Sequence, residues 1–157
     1  MQIIDNFLDK PFFSKLQNLI LSEHFPWFYN DYKVYKNDNS FQFTHTVIKD
    51  KEPTSTFIKY INPILSKLHS KETIQVKLNL QTKANKIFNH TFHNDYNNIT
   101  TAILYINNNN GKTIFKNGKE IDSIENRIVI FNSNLLHTGT SHTNIKRRIL
   151  INFNYIS

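Results

Sequence analysis

Apolar positions change their rhythm about halfway along the chain. In the first part they recur every three or four residues. Phe12, Phe13, Leu16, Leu19, Ile20 and Leu21 form one helical stripe over residues 11–23, and Pro11 suits a first turn. A second stripe of Phe57, Ile58, Ile61, Ile64, Leu65 and Leu68 predicts a helix over 55–69, which Pro63 would kink or start afresh. Between the two, residues 27–35 and 41–48 read as strands joined by the turn-rich Lys36-Asn37-Asp38-Asn39-Ser40.

From Thr73 onward the period drops to two. Ile74, Val76, Leu78 and Leu80 alternate with polar residues, and strand-like runs follow at 86–92, 99–107, 112–115, 127–131, 135–138 and 147–155. Short strands at this spacing predict a sandwich or barrel rather than βαβ units. Each of the three glycines falls at an expected break: Gly111 and Gly118 around a hairpin, and Gly139 two residues after His137. The expectation is an α+β fold, two N-terminal helices supporting a jelly-roll-like β core. The 157 residues suit one domain, with 1–72 as the helix-containing support and 73–157 as the core.

Composition narrows the chemistry. With 39% hydrophobic and 20% charged residues the chain is built to fold, not to stay disordered. No run approaches the roughly 18 apolar residues of a membrane span. The opening Met-Gln-Ile-Ile-Asp-Asn lacks the basic flank and apolar stretch of a secretory signal, so a cytoplasmic location is expected, host cytoplasm if the chain is phage-encoded. Zero cysteines exclude disulfides, thiolate catalysis and cysteine-bound zinc or iron–sulfur clusters. Any metal must then be held by His, Asp and Glu. The net charge of +7 hints at nucleic acid, but the lysines are scattered in a chain crowded with Asn, Ile and Lys, all read from AT-rich codons. A nucleic-acid partner is therefore a secondary reading.

Four histidines lie in the β-rich half: His90, His93, His137 and His142. In an extended chain residues i and i+2 face the same side, so His93 and Asp95 present an imidazole and a carboxylate together. His90 has Phe92 at that place instead. His137 ends an apolar stretch that would carry it inward, which makes it the best third ligand. Two histidines and one carboxylate on one face leave coordination positions open, as in non-haem Fe(II) oxygenases. A His-x-Asp pair alone is common by chance, so the case depends on what accompanies it. Lys146-Arg147-Arg148 brings two of the three arginines to the start of the last strand, where one faces inward and the other outward. Arginine grips a carboxylate with a planar fork that lysine lacks.

The ordered set His93-Asn94-Asp95, Thr101-Ala-Ile-Leu-Tyr105-Ile-Asn107, Gly111-Lys-Thr-Ile-Phe115, Asn126-Arg-Ile-Val-Ile-Phe131, His137-Thr-Gly139 and Arg148…Asn152-Phe-Asn-Tyr155 resembles the iron(II)/2-oxoglutarate-dependent dioxygenases. The prolyl-4-hydroxylase-like branch is the most similar, including its small phage and bacterial forms. The resemblance covers residues 77–155, and Ile3-Ile-Asp-Asn-Phe-Leu resembles the opening of such proteins. It implies a double-stranded β-helix, the cupin-like jelly roll. It also implies His93, Asp95 and His137 as iron ligands, and Arg148 as the partner of the distal 2-oxoglutarate carboxylate, with Tyr155 seven residues on. Arg147 is the fallback if the register is off by one. Tyr105 matches a tyrosine that supports the same carboxylate; the alternative is a core aromatic with a wet tip. Leu150 departs from relatives that place a serine two residues after the arginine.

The implied activity is hydroxylation of a C–H bond, with 2-oxoglutarate and O2 converted to succinate and CO2, and ascorbate as a supporting reductant. A protein or peptide substrate, peptidyl proline first, is implied. The alternatives are a nucleic-acid-directed oxygenase and a non-catalytic jelly-roll binding protein. Phe92, Ile103 and Phe131 are expected to keep water from the site. Trp27, Phe28, Tyr29, Tyr32 and Tyr35 would line a substrate groove or, as the favoured reading, lie half in the core. His90 and His142 are expected to be ordinary polar residues. Oligomeric state is open.

Overall fold

Two-residue alternation in the later strands sends apolar side chains to one face, under the helices, and a mixture of polar and apolar ones to the other. A computed structural model describes residues 1–34, 36 and 40–157. Its elements run β1 (Gln2–Ile4), α1 (Lys10–Leu21), β2 (Phe28–Asn30), β3 (Gln42–Lys49), β4 (Glu52–Pro53), α2 (Ile58–Lys67), β5 (Glu72–Thr82), β6 (Thr100–Tyr105), β7 (Lys112–Phe115), β8 (Glu120–Asp122), β9 (Ile128–Asn132), β10 (His137–Gly139) and β11 (Arg147–Ile156). The larger sheet has the order β1-β9-β6-β11-β5-β3-β2, with β4 added on β3, and the smaller has the order β10-β7-β8. The chain is thus mostly β-sheet with two helices. No helix among the described residues is long and apolar enough to cross a membrane.

Both helices pack on the apolar face. Asp9 caps α1 by accepting from the Phe12 N–H at 3.1 Å, and Phe13, Leu16 and Ile20 point inward. They join Ile61 and Ile64 of α2, Val76 and Leu78 of β5, Ala102 and Leu104 of β6, and Ile149, Ile151 and Phe153 of β11 in one core. Pro63 does not break α2. It lies, with Lys59 one turn earlier, on the exposed side, where water replaces the missing amide hydrogen bond.

The odd and even residues of each strand divide the work. On β6, Ile103 and Tyr105 turn away from the helices and pack with Phe115, Ile121, Val129 and Phe131 between the two sheets. Strand β1 pairs with β9, and Asn126 ties the following segment down, accepting from Leu8 N–H and donating to Leu8 carbonyl.

Two expectations change. Residues 86–92 form no strand; the segment touches the smaller sheet through isolated bridges, Asn89 to Thr140 and His93 to His137. Phe28 and Tyr29 are about 60% exposed (61% and 59%), and Tyr32 is also exposed, so this aromatic stretch is not half core. The reason is position: β2 is the edge strand of the larger sheet, and among the described residues no further strand pairs with it. Tyr35 and the connecting Asn37, Asp38 and Asn39 lie outside the described residues. Gly111 and Gly118 flank β7 as expected, Gly118 with φ of 88° in the turn to β8, whereas Gly139 belongs to β10.

Candidate metal and carboxylate site

Two backbone hydrogen bonds set the first two imidazoles side by side. His93 N–H donates to His137 carbonyl and His137 N–H to His93 carbonyl, both at 2.9 Å, which brings the rings to 4.8 Å between centroids. Each Nδ1 lies 3.1 Å from a carbonyl two residues earlier, Thr91 for His93 and Leu135 for His137. With Nδ1 donating there, both Nε2 lone pairs face the gap. Asp95 closes the third side, Oδ1 at 3.6 Å from His93 Nε2 and Oδ2 at 4.0 Å from His137 Nε2. One ligand atom from each residue lies within 4.8 Å of the others. Burial first, then the neighbouring His93, lowers the His137 pKa, with Asp95 opposing. The ring is therefore held in the neutral form that ligates metal.

Asn152 on β11 holds the carboxylate, donating from Nδ2 to Asp95 Oδ2 at 2.7 Å. The sequence places it in the last motif, four residues after Arg148 on the same face of a strand, but gives it no role. Phe131 packs edge-on to His137 at 5.0 Å, and Ile103 lines the cavity; Phe92 is half-buried and does not.

The cavity that the imidazoles line, about 380 Å³, is also lined by Arg148. Arg148 is 1% exposed, yet no carboxylate among the described residues pairs with it. Nε donates to Ser123 Oγ at 3.1 Å, Nη2 has no partner, and the Tyr105 ring lies 6.0 Å away. Burial lowers its pKa, with Tyr105 opposing. A buried cation with an idle donor is costly unless an anion completes it. Arg147 faces the other way and donates to the Leu21 carbonyl at 2.6 Å, at the end of α1.

Two glycines make room for Arg148. A Cβ on Gly111 would stand 2.9 Å from Arg148 Cδ and Nε, and one on Gly139 would stand 3.3 Å from Nη1. Gly111→Ala is therefore expected to displace the guanidinium and cost about 1–3 kcal/mol of stability. Gly118→Ala meets nothing within 4 Å, so any loss there comes from backbone conformation alone. Chemical denaturation of both variants checks the loss expected at Gly111.

Tyr105 is fully buried and donates its hydroxyl to Thr113 Oγ1 at 2.7 Å; Thr113, not Tyr105, reaches the cavity wall. Burial raises the Tyr105 pKa, opposed by Arg148 and by the Thr113 hydrogen bond. His90 lines the cavity, its Nε2 2.8 Å from the Lys33 ammonium. His142 is fully buried, and burial followed by the charge of Arg148 lowers its pKa.

No protein-family model and no curated protein matches the chain. Solved structures do. An oxidoreductase of the 2OG-Fe(II) oxygenase family from Burkholderia pseudomallei aligns with a TM-score of 0.73 and 9% identity, over 98% of this chain and 84% of its own. A prolyl hydroxylase from Trichoplax adhaerens, solved with a hypoxia-inducible factor peptide fragment, aligns with a TM-score of 0.69 and 17% identity, over 99% and 82%. A prolyl-4-hydroxylase from Pseudomonas putida gives 0.64 and 11%, over 99% and 92%. The fold is the one these oxygenases share.

Proposed function

We propose that this chain is an Fe(II)- and 2-oxoglutarate-dependent dioxygenase of the prolyl-4-hydroxylase-like type, hydroxylating a C–H bond of a peptide or protein, with peptidyl proline as the first candidate. The observation that carries the reading is the pairing of two features in one cavity. A convergent His93-Asp95-His137 set lies on its wall, and so does a buried Arg148 with an idle Nη2. Neither alone is distinctive. Together they match a metal and a dicarboxylate that must be held at the same time.

Fe(II) fits the donors, which are two neutral imidazoles and a carboxylate with no thiolate. The distal carboxylate of 2-oxoglutarate fits the orphaned guanidinium in its two-glycine cradle. When bound, iron and 2-oxoglutarate supply the activation of O2, with succinate and CO2 as products. The chain's own residues do the rest. The carbonyls of Thr91 and Leu135 fix the imidazole tautomers, and Asn152 fixes the rotation of Asp95. Arg148 orients the dicarboxylate, with Tyr105 acting through Thr113 rather than by direct contact. Ile103 and Phe131 limit water at the metal.

Residues 1–157 are one unit in this reading, a double-stranded β-helix supported by the N-terminal helices. Strands β1, β2 and β3, from the first 72 residues, build the same sheet as the later strands, which supports it. The location is taken as cytoplasmic. The test is succinate formation from 2-oxoglutarate with Fe(II) in air. Slow succinate formation without any primary substrate is expected, stimulated by a proline-containing peptide. No succinate under either condition would overturn the proposal.

A further inference from the structure

On the assumption that the site is an oxygenase centre, we propose that it selects a peptide bearing a carboxylate side chain close to the modified residue, and that Lys77 is the residue that reads that charge. Register gives the position. Arg148 faces Gln81 across the β11–β5 ladder, and Asn152, which holds Asp95, faces Lys77. The two pairs are four residues apart, about 13 Å along the strands. A co-substrate clasped at Arg148 would therefore reach toward Asp95 from one end, leaving the Lys77 end of the same wall to the primary substrate.

Charge decides what enters. Asp95 is the only acidic residue on the described cavity wall. Fe(II), Asp95, a 2-oxoglutarate dianion and Arg148 together cancel. Lys77 then remains as positive charge on the described wall. The ammonium of Lys33 rests against His90, whereas Lys77 makes no ion pair among the described residues. A half-buried lysine on a cavity wall whose one described acid, Asp95, is committed to the metal favours an anionic ligand.

The remaining wall favours a peptide over a nucleic acid. Gln42, Gln75, Asn79 and Gln81 line it with amides, and Asn79 Oδ1 and Gln81 Oε1 are buried acceptors without a partner, suited to backbone N–H donors. Tyr96 is the only phenyl ring on the described wall, too little for stacking successive bases.

The test reads binding, so it is separable from turnover. Loss of succinate formation would remove the oxygenase reading, whereas the outcomes below concern Lys77 alone. A labelled peptide of about ten residues, with a central proline flanked by glutamates and an amidated C-terminus, is titrated with metal- and 2-oxoglutarate-loaded protein under nitrogen. Its glutamine counterpart is titrated in parallel, with either an amide or a free carboxylate at the C-terminus. The glutamate peptide is expected to bind about tenfold more tightly than both glutamine forms. Lys77→Gln should shrink the preference to about twofold or less, and Lys77→Glu should prefer the lysine counterpart. Equal binding of glutamate and glutamine peptides, a preference that survives Lys77→Gln, or no binding of any peptide would overturn the proposal. A free-carboxylate glutamine peptide matching the glutamate one would overturn the side-chain assignment. Displacement of the glutamate peptide by a lower concentration of oligothymidylate would overturn the peptide assignment.

Discussion

Asp95→Ala is expected to abolish iron-dependent succinate formation and to weaken Fe(II) binding by about 100-fold or more. Loss of a whole ligand exceeds the 10- to 100-fold typical of outer-sphere changes. Asp95 supplies the sole anionic donor of the three, and its removal also leaves Asn152 Nδ2 without its partner. His137→Ala should be equally inactive, but with a second consequence. His137 is 4% exposed and packs against Phe131 and Phe115, so that variant loses stability as well. Asp95→Ala is the cleaner experiment, because the carboxylate sits at the cavity wall. Isothermal titration with Fe(II) under nitrogen, and melting curves of both variants, distinguish lost ligation from lost folding. Retained turnover in Asp95→Ala would defeat the three-residue site.

Arg148→Lys should raise the 2-oxoglutarate requirement sharply while leaving metal binding intact. A charge-assisted hydrogen bond in a dry site contributes about 1.5–3 kcal/mol, or roughly 10- to 150-fold in affinity. Lysine keeps the positive charge but loses the fork, and it cannot donate to Ser123 and to a carboxylate with the same geometry. Arg147→Lys is the control. Its side chain reaches the Leu21 carbonyl on the opposite face, so the 2-oxoglutarate requirement should not move. The steady-state dependence on 2-oxoglutarate checks both. An unchanged requirement in Arg148→Lys, or a shifted one in Arg147→Lys, would mean that the anchor lies elsewhere.

Much of this site is legible in the sequence because its parts obey strand alternation. The inward and outward arginines differ by one residue, and the structure separates them to opposite faces of β11. His93 and Asp95 share a side as an extended segment requires, although no ladder enforces it there. The same rule misleads for 86–92. Alternation records which side of a chain meets a core, and Ile87 and Phe88 are exposed (47% and 44%), the segment being tied by hydrogen bonds to Gly139 and Ser141 rather than by a ladder. β2 fails for a related reason. Aromatic residues read as buried, but on this edge strand Phe28 and Tyr29 are exposed. Asn152 and Lys77 were illegible as site residues because an asparagine or lysine on a polar strand face looks like a solvated one. Only the register of β11 against β5 and the placement of Asp95 give them a role.

The paired nature of the site is most directly tested by anaerobic titration of the iron-loaded protein with 2-oxoglutarate, followed in the visible spectrum. A weak charge-transfer band that saturates at one equivalent, and that is lost in Asp95→Ala, is the predicted result. No band at saturating 2-oxoglutarate, with Fe(II) demonstrably bound, would contradict simultaneous occupation of the metal and carboxylate sites.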